Sequence, residues 1–335
     1  MATRLVCRFS KVAMLVLASC LLPVLAFSAE TAGAPGKKLT IAVMPKLVGI
    51  DYFNAVQKGA EEAAKEIGAE LIWDGPTEND VTKQAEMIDT WIARKVDVIA
   101  VAPNDPHALA PTLKKAQKRG IKVLTYDADS DADSRSYFVN QATAEAIGFG
   151  LVDVIAEQIS GKGEVAIVTG SMTADNQNTW MKHMDERMKK YPEMKKVIVK
   201  PSEENQQLAV SVTKDLLKAY PDLKGIFAIT SVALPGAALA LKEAGASGKV
   251  ALTGLSTPKS MVQHVDNGSV KTFLLWNPVD LGYLTVQTAK AVATGQKLGD
   301  KISAGRLGDK QVKGTEVLLG DPMRFSKENV HQFQF

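Results

Sequence analysis

The chain has 335 residues, of which 46% are hydrophobic and 23% are charged. This composition excludes a disordered polar chain, and the length predicts about two domains with buried cores. The 40 basic and 37 acidic residues give a formal net charge of only +3 at pH 7, which argues against nucleic acid or an anionic membrane as the main partner.

The first predicted element is a leader. Basic residues precede an uncharged apolar run from Val12 to Ala26, which is the pattern of a secretory signal peptide. The run is shorter than the roughly 20 residues that a membrane-spanning helix needs. We therefore predict a signal peptide at residues 1–28, with cleavage after Ser28 and export of the remaining chain.

Both cysteines, Cys7 and Cys20, lie in this leader. Cleavage would leave a chain without thiols, which excludes disulfides and cysteine metal sites. An alternative is lipoprotein-type processing at Cys20, which follows Leu17-Ala18-Ser19. The leader also holds three of the 40 basic residues and no acidic ones, so the exported chain would carry 37 of each sign.

After a flexible lead-in at residues 29–37, strand and helix patterns alternate along the chain. Strands are predicted at Leu39–Met44, Glu70–Trp73, Val98–Val101, Val123–Tyr126, Glu164–Thr169, Lys196–Val199, Gly225–Ile229, Val250–Gly254 and Val270–Trp276. Helices are predicted at Tyr52–Ile67, Thr82–Lys95, Pro106–Arg119, Thr143–Ile159, Asn178–Tyr191, Gln206–Tyr220 and Ala233–Ala244. Gly68, Gly120 and Gly245 follow three of these helices, where left-handed C-caps are expected.

Continuous apolar strands that alternate with helices indicate an α/β fold with parallel sheets covered on both faces. Two such series occur, one before and one after about Val139-Asn140. The sequence therefore predicts two Rossmann-like lobes. In sheets of this kind, ligands bind at the carboxyl ends of the strands.

Polar side chains follow several predicted strands directly, and these are the candidate ligand-binding residues. They are Lys46, Asp127, Asn176, Gln177, Thr230, Ser231, Ser256 and Asn277. Planar carboxylate and amide groups can bond two neighbouring hydroxyls of a sugar, and aromatic rings can cover its apolar face. Tyr52, Phe53 and Trp276 are predicted beside this mouth, although Trp276 could equally pack in a hinge. Trp180 is predicted to pack under the loop that holds Asn176 and Gln177.

Other kinds of site find less support in the sequence. The acidic run from Asp127 to Asp133 resembles the start of a calcium loop, but Ala132 and Phe138 stand where such a loop has glycine and glutamate. No nucleophile–base set and no nucleotide-binding glycine motif is present. We therefore predict no catalytic residues, no cofactor and no metal. A sugar-acting enzyme and a sugar-responsive repressor are the rival functions, although a repressor would need a DNA-binding segment where the leader stands.

Several motifs resemble a known family. They are Met44–Gly49, Asp74–Glu78, Asn140-Gln141, Asn176–Trp180 and Ala233–Pro235. In these stretches the chain resembles the periplasmic monosaccharide-binding proteins of ABC importers, in particular the rhamnose-binding and autoinducer-2 (AI-2)-binding branch. The resemblance covers almost all of Leu39–Phe335, and the segments Ala304–Gly308, Val317–Gly320 and Phe325–Asn329 are more similar to the rhamnose-binding side.

This resemblance implies a type I periplasmic binding protein with two lobes joined by three crossovers, which close over the ligand. The implied boundaries are 38–138 plus 279–303 for the N-terminal lobe and 139–278 plus 304–335 for the C-terminal lobe. It further implies a monomer in the periplasm that delivers its ligand to a membrane permease, with a chemoreceptor as a further partner left open.

The resemblance also assigns residue roles. Lys46 matches the ligand-binding lysine, Asp127 the aspartate that accepts from ligand hydroxyls, and Gln177 a binding glutamine. Asn176 stands where AI-2 receptors have aspartate, and Ile229 and Ser231 where they have proline and alanine. Asn277 likewise replaces a common aspartate. The sequence therefore leaves rhamnose, another monosaccharide, a sugar alcohol and AI-2 open as ligands.

Overall fold

The computed structural model describes residues 37–335, so the predicted signal peptide, nearly all of the lead-in and Cys20 lie outside the described part. The helices are α1 (Asp51–Ile67), α2 (Val81–Arg94), α3 (Pro106–Lys118), α4 (Ala144–Ile159), α5 (Asp175–Met188), α6 (Gln206–Ala219), α7 (Ala233–Glu243), α8 (Pro258–Asp266) and α9 (Pro278–Ala293). The strands are β1 (Thr40–Met44), β2 (Glu70–Trp73), β3 (Val98–Val101), β4 (Lys122–Tyr126), β5 (Tyr137–Asn140), β6 (Gly163–Thr169), β7 (Met194–Pro201), β8 (Leu223–Ala228), β9 (Ala251–Gly254), β10 (Phe273–Leu275), β11 (Lys301–Ser303), β12 (Asp309–Lys313), β13 (Glu316–Leu318) and β14 (Met323–Phe325).

Two sheets organise the chain, and each forms a lobe with its helices. The first has the order β11-β12-β13-β5-β4-β3-β1-β2, and the second has the order β7-β6-β8-β9. All pairs from β13 to β2, and all pairs of the second sheet, are parallel. The predicted α/β class with two parallel sheets is confirmed.

Both faces of the first sheet are covered by helices. Along β1, Ala42 and Met44 pack with α2 and α3, whereas Ile41 and Val43 point into the larger core on the opposite face. Helices α1 and α9 cross closely on that second face. The approach is so close that a Cβ atom at Gly282 would lie 1.9 Å from the Val56 carbonyl oxygen. Strands buried on both faces explain why the sequence reads as continuous apolar runs.

The chain passes between the lobes three times, after β5, after β10 and between β13 and β14. β14 pairs with β10, and β10 bridges the end of β9 through Leu274 and Leu255. The strand pairing differs from the boundaries implied by resemblance: β5 crosses residue 138 and lies in the first sheet, and β13 joins that sheet beside β5. Residues 304–318 therefore belong with the first lobe.

The helix ends follow the predicted pattern. Gly68, Gly120 and Gly245 all have positive φ angles, of 68°, 83° and 63°. Glycine adopts this left-handed conformation without the steric penalty of a Cβ atom. Each helix therefore stops where the next strand must begin.

Candidate functional site

A cavity of about 400 Å³, open solvent included, lies where the carboxyl ends of the two sheets face each other. The first lobe and the crossing at β10 supply Lys46, Ile50, Tyr52, Phe53, Asp127, Leu275 and Trp276. The second lobe supplies Asn176, Gln177, Trp180, Glu204, Ile229, Thr230, Ser231 and Leu255. The lining thus combines aromatic and aliphatic surface with a few charged and amide groups, as small-molecule sites typically do.

Asp127 is the buried carboxylate of the first lobe, and a hydrogen-bond chain orients it. The indole Nε1–H of Trp276 donates to the Tyr52 hydroxyl at 2.8 Å, and that hydroxyl donates to Asp127 Oδ1 at 2.6 Å. Asp127 itself has a left-handed φ of 61°, a conformation that is uncommon outside glycine and asparagine or aspartate. This hydrogen-bond chain fixes Oδ1 of the carboxylate, whereas no donor to Oδ2 is found among the described residues.

The electrostatics of Asp127 reflect its burial. Desolvation raises the pKa of its carboxyl above the ordinary value, and the charge of Lys46 and the hydrogen bond from Tyr52 offset part of this rise. The pKa of Tyr52 is also raised, first by burial and then by the Asp127 charge. Tyr52 therefore remains a neutral donor, and an additional donor at Asp127 would favour the ionised carboxylate.

Gln177 is held by the second lobe. Its Oε1 accepts from the Thr169 hydroxyl at 2.6 Å and from the Gly170 amide at 2.7 Å, while its Nε2 donates to Glu204 Oε1 at 2.8 Å. One Nε2 hydrogen remains for another acceptor. The arrangement makes Gln177 a rigid donor at the cavity wall.

Contacts between the lobes close the cavity. Lys46 Nζ donates to Asn176 Oδ1 at 3.1 Å, and Asn176 Nδ2 donates to the Asp127 backbone oxygen at 3.3 Å. Nearer the surface, the Ser260 hydroxyl donates to Asp51 Oδ2 at 2.9 Å. These bonds describe a closed arrangement, since each joins one lobe to the other.

Comparison with known protein families gives one match that decides the family. The family model described as a periplasmic binding protein domain matches residues 41–297 of this chain. The chain belongs to the periplasmic binding protein family.

Two solved structures and a curated protein place this periplasmic binding protein more closely. An ABC transporter solute binding protein from Clostridium phytofermentas with bound L-rhamnose is 31% identical, with a TM-score of 0.85, and the match covers 88% of this chain and 98% of that one. LsrB from Clostridium saccharobutylicum in complex with AI-2 is 26% identical, with a TM-score of 0.84, over 89% of this chain and 100% of that one. The xylitol-binding protein of Mycolicibacterium smegmatis is 27% identical over 252 residues, 75% of this chain and 70% of that protein. The predicted resemblance is confirmed.

Of the eleven candidate ligand-binding residues, nine line the cavity of this periplasmic binding protein. They are Lys46, Tyr52, Phe53, Asp127, Asn176, Gln177, Thr230, Ser231 and Trp276. Trp276 lines the cavity and follows β10, where the chain crosses between the lobes. Their role in binding a ligand stays a prediction.

Two predicted residues do not line the cavity. The Ser256 hydroxyl donates to the Ser231 backbone oxygen at 2.7 Å, which fixes the neighbouring loop. Asn277 caps α9, because its Oδ1 accepts from the amides of Val279 and Asp280 at 3.0 and 3.3 Å. Both side chains form hydrogen bonds with backbone groups. Their position after a strand did not predict these bonds.

Several lining residues were not predicted as ligand-binding. Glu204 is the charged one, and the aliphatic ones include Ile50, Leu255 and Leu275. Glu204 follows β7, so the rule of polar residues after strands applied to it. The predicted strand ended at Val199, whereas β7 continues to Pro201, and this gap concealed the signal. Trp180, predicted to pack under the loop, reaches the cavity as well.

The acidic run after β4 forms ion pairs and a hydrogen bond with neighbouring side chains. Asp129 binds Arg135 through two bonds of 2.9 and 2.6 Å, and Asp131 pairs with His107 at 2.7 Å. Asp133 pairs with Lys114 at 2.8 Å. Within residues 37–335, no cluster of three or more His, Cys, Asp or Glu side chains could hold a metal, and no helix is both long and apolar enough to cross a membrane.

Proposed function

We propose that this periplasmic binding protein is the solute-binding component of an ABC importer and that it carries a small neutral sugar or sugar alcohol. The ligand binds between the two lobes and undergoes no chemical change. The leader directs the chain to the periplasm, where the closed, ligand-bound monomer delivers its cargo to the membrane permease.

The cavity lining is the observation that supports this proposal. Four aromatic rings, from Tyr52, Phe53, Trp180 and Trp276, line the cavity. Asp127 and Lys46 stand among these rings, and both are at least 95% buried. Apolar ring faces with a few fixed hydrogen-bonding groups suit a polyol, whose C–H face is apolar and whose hydroxyls donate and accept.

A ligand panel tests the proposal directly. L-Rhamnose, D-allose, D-arabinose, xylitol and AI-2 are titrated into purified protein while tryptophan fluorescence is recorded, because Trp180 and Trp276 line the cavity. Saturable binding of a neutral polyol, with a raised melting temperature, is expected. Absence of binding to every neutral polyol would reject the proposed function. Recovery of the ligand in altered form would favour the enzyme alternative.

Lobe closure is tested by small-angle X-ray scattering. A ligand that bridges the lobes stabilises the closed form only if it binds that form more tightly than the open one. We expect the radius of gyration to fall when the best ligand of the panel is added. An unchanged radius at saturating ligand would contradict closure while leaving binding intact.

AI-2 is the second candidate, because LsrB in complex with AI-2 shares the fold at 26% identity. Asn176, Ile229 and Ser231 differ from the residues typical of AI-2 receptors, and all three line the cavity. Tighter binding of AI-2 than of any sugar in the panel would make this the preferred function.

A further inference from the structure

Glu204 occupies a position in the cavity that only a glycine neighbour permits. It lies between β7 and α6, half-buried, with Oε1 accepting from Gln177 Nε2 at 2.8 Å. A side chain at Gly170 would put its Cβ 2.1 Å from Glu204 Oε1. The loop after β6 therefore leaves room for this carboxylate at the cavity wall.

The backbone that presents Glu204 is strained. Glu203 and Glu204 have φ angles of 48° and 52°. Two consecutive non-glycine residues thus adopt the left-handed conformation, which is sterically unfavourable for L-residues. The loop is tied to the end of β6 by the Ser202 amide, which donates to the Thr169 oxygen at 2.8 Å, and by the Glu203 amide, which donates to the Gly170 oxygen at 2.6 Å. Such strain concentrates at functional sites, where the fold holds a side chain in a required orientation.

Glu204 also changes the charge of the cavity. Among the described lining residues, Asp127 and Glu204 are carboxylates, and Lys46 supplies the one ammonium. Burial is the main cause of the raised pKa of Asp127, and the charge of Glu204 adds to it. Because carboxylates outnumber ammonium groups in the lining, we expect a ligand to bring hydrogen-bond donors to both lobes.

We propose that Glu204 determines ligand specificity: its carboxylate selects neutral ligands that donate hydroxyl hydrogens and excludes sugar acids. This rests on the proposed function. A hydroxyl of the ligand donates to Glu204 from the second lobe while another donates to Asp127 from the first. A ligand carboxylate at the same place would offer no donor and would meet a like charge in a poorly solvated space.

The test uses pairs of ligands with the same carbon skeleton. Xylitol is compared with xylonate, and L-rhamnose with L-rhamnonate, by isothermal titration calorimetry on the mature protein. The wild type should bind the neutral member at least 10-fold more tightly than the acid. Glu204→Gln keeps an acceptor for Gln177 but removes the charge, so it should weaken binding of the neutral ligand about 10- to 100-fold and reduce the neutral-to-acid ratio at least 10-fold.

Two further variants separate charge from structure. Glu203→Gln removes an equal charge one residue away, from an exposed side chain whose nearest partner is Asn79 Nδ2 at 3.5 Å, and it should leave both affinities unchanged. Glu204→Asp keeps the charge, so it should still reject the acids even if its shorter side chain weakens binding overall.

The outcomes distinguish this inference from the proposed function. Wild type that binds neither neutral ligand nor any other of the panel rejects both. Wild type that binds a neutral ligand, with a neutral-to-acid ratio that Glu204→Gln leaves unchanged, overturns the role of Glu204 alone. Equal wild-type affinity for xylitol and xylonate, or a ratio that falls equally in Glu203→Gln, would overturn it as well.

Discussion

Tyr52 and Tyr126 are two buried tyrosines beside Asp127 whose hydroxyls have opposite environments. The Tyr52 hydroxyl accepts from Trp276 Nε1 at 2.8 Å and donates to Asp127 Oδ1 at 2.6 Å. The Tyr126 hydroxyl is buried and has no hydrogen-bond partner within residues 37–335. Replacing each by phenylalanine removes the same atom, so the pair isolates what the hydrogen bonds contribute.

The expected difference follows from the bonds that are lost. Tyr52→Phe removes a hydrogen bond to a charged group, worth about 1.5–3 kcal/mol, and leaves the buried indole N–H of Trp276 unpaired, which costs about 1–3 kcal/mol. Protonation of Asp127, whose pKa rises further without this donor, limits the loss. We expect the free energy of unfolding to fall by about 2–4 kcal/mol. Tyr126→Phe deletes a polar atom that lacks a partner. The free energy of unfolding should therefore stay unchanged or rise by up to about 1 kcal/mol.

Urea denaturation of the ligand-free variants, followed by circular dichroism, measures both changes. The phenyl ring that replaces Tyr52 keeps the edge contacts with Phe53 and Trp276, at centroid distances of 5.0 and 6.0 Å, so loss of packing cannot explain a difference. Equal unfolding free energies for the two variants would refute the reasoning, because they would show that the hydrogen-bond chain contributes nothing.

Two other predictions concern charge and backbone contact. Because burial raises the pKa of Asp127, the native state binds this proton more tightly than the unfolded chain, and stability falls as pH rises through the folded-state pKa. Asp127→Asn should therefore flatten that part of the pH–stability profile of the ligand-free protein, and should raise its unfolding free energy at pH 7 while weakening ligand binding. An unchanged profile would contradict the assignment. Gly282→Ala places a Cβ 1.9 Å from the Val56 carbonyl oxygen between α1 and α9, whereas the Cβ of Gly299→Ala has no atom of the described residues within 4 Å. The melting temperature should fall strongly in Gly282→Ala and hardly at all in Gly299→Ala. Similar melting temperatures for the two variants would be inconsistent with the close helix crossing.

The fold was largely predictable because its signals are local. Seven helices and nine strands were recognised from apolar runs and glycine caps, most to within a few residues. The C-terminal strands were not, since β11, β13 and β14 have three residues each, and β5, α8 and α9 were also missed. In β11 and β13 a single side chain is fully buried, Ile302 and Val317 respectively. Their place depends on pairing with distant segments, such as Val317 beside Val139, and no local periodicity carries that information.

The site was predictable to the extent that it depends on topology. Polar residues after parallel strands converge at one edge, and this rule found Lys46, Asp127 and Gln177. It does not say which way a side chain turns. Asn277 precedes Pro278, and asparagine followed by proline is a helix N-cap signal, so the sequence already contained the competing role that the structure shows.

The polar contacts that join the two lobes lie at the exposed rim or among the cavity-lining side chains. The Ser260–Asp51 bond lies at the exposed rim, where polar pairs contribute at most about 1 kcal/mol. The Lys46–Asn176 bond uses groups that line the cavity, so a bound ligand competes for them. We expect these contacts alone to hold the lobes together only weakly. In the proposed mode of binding, a ligand that donates hydroxyls to Asp127 on one lobe and to Glu204 on the other would add bonds that exist only when the lobes meet, and this differential affinity would shift the equilibrium.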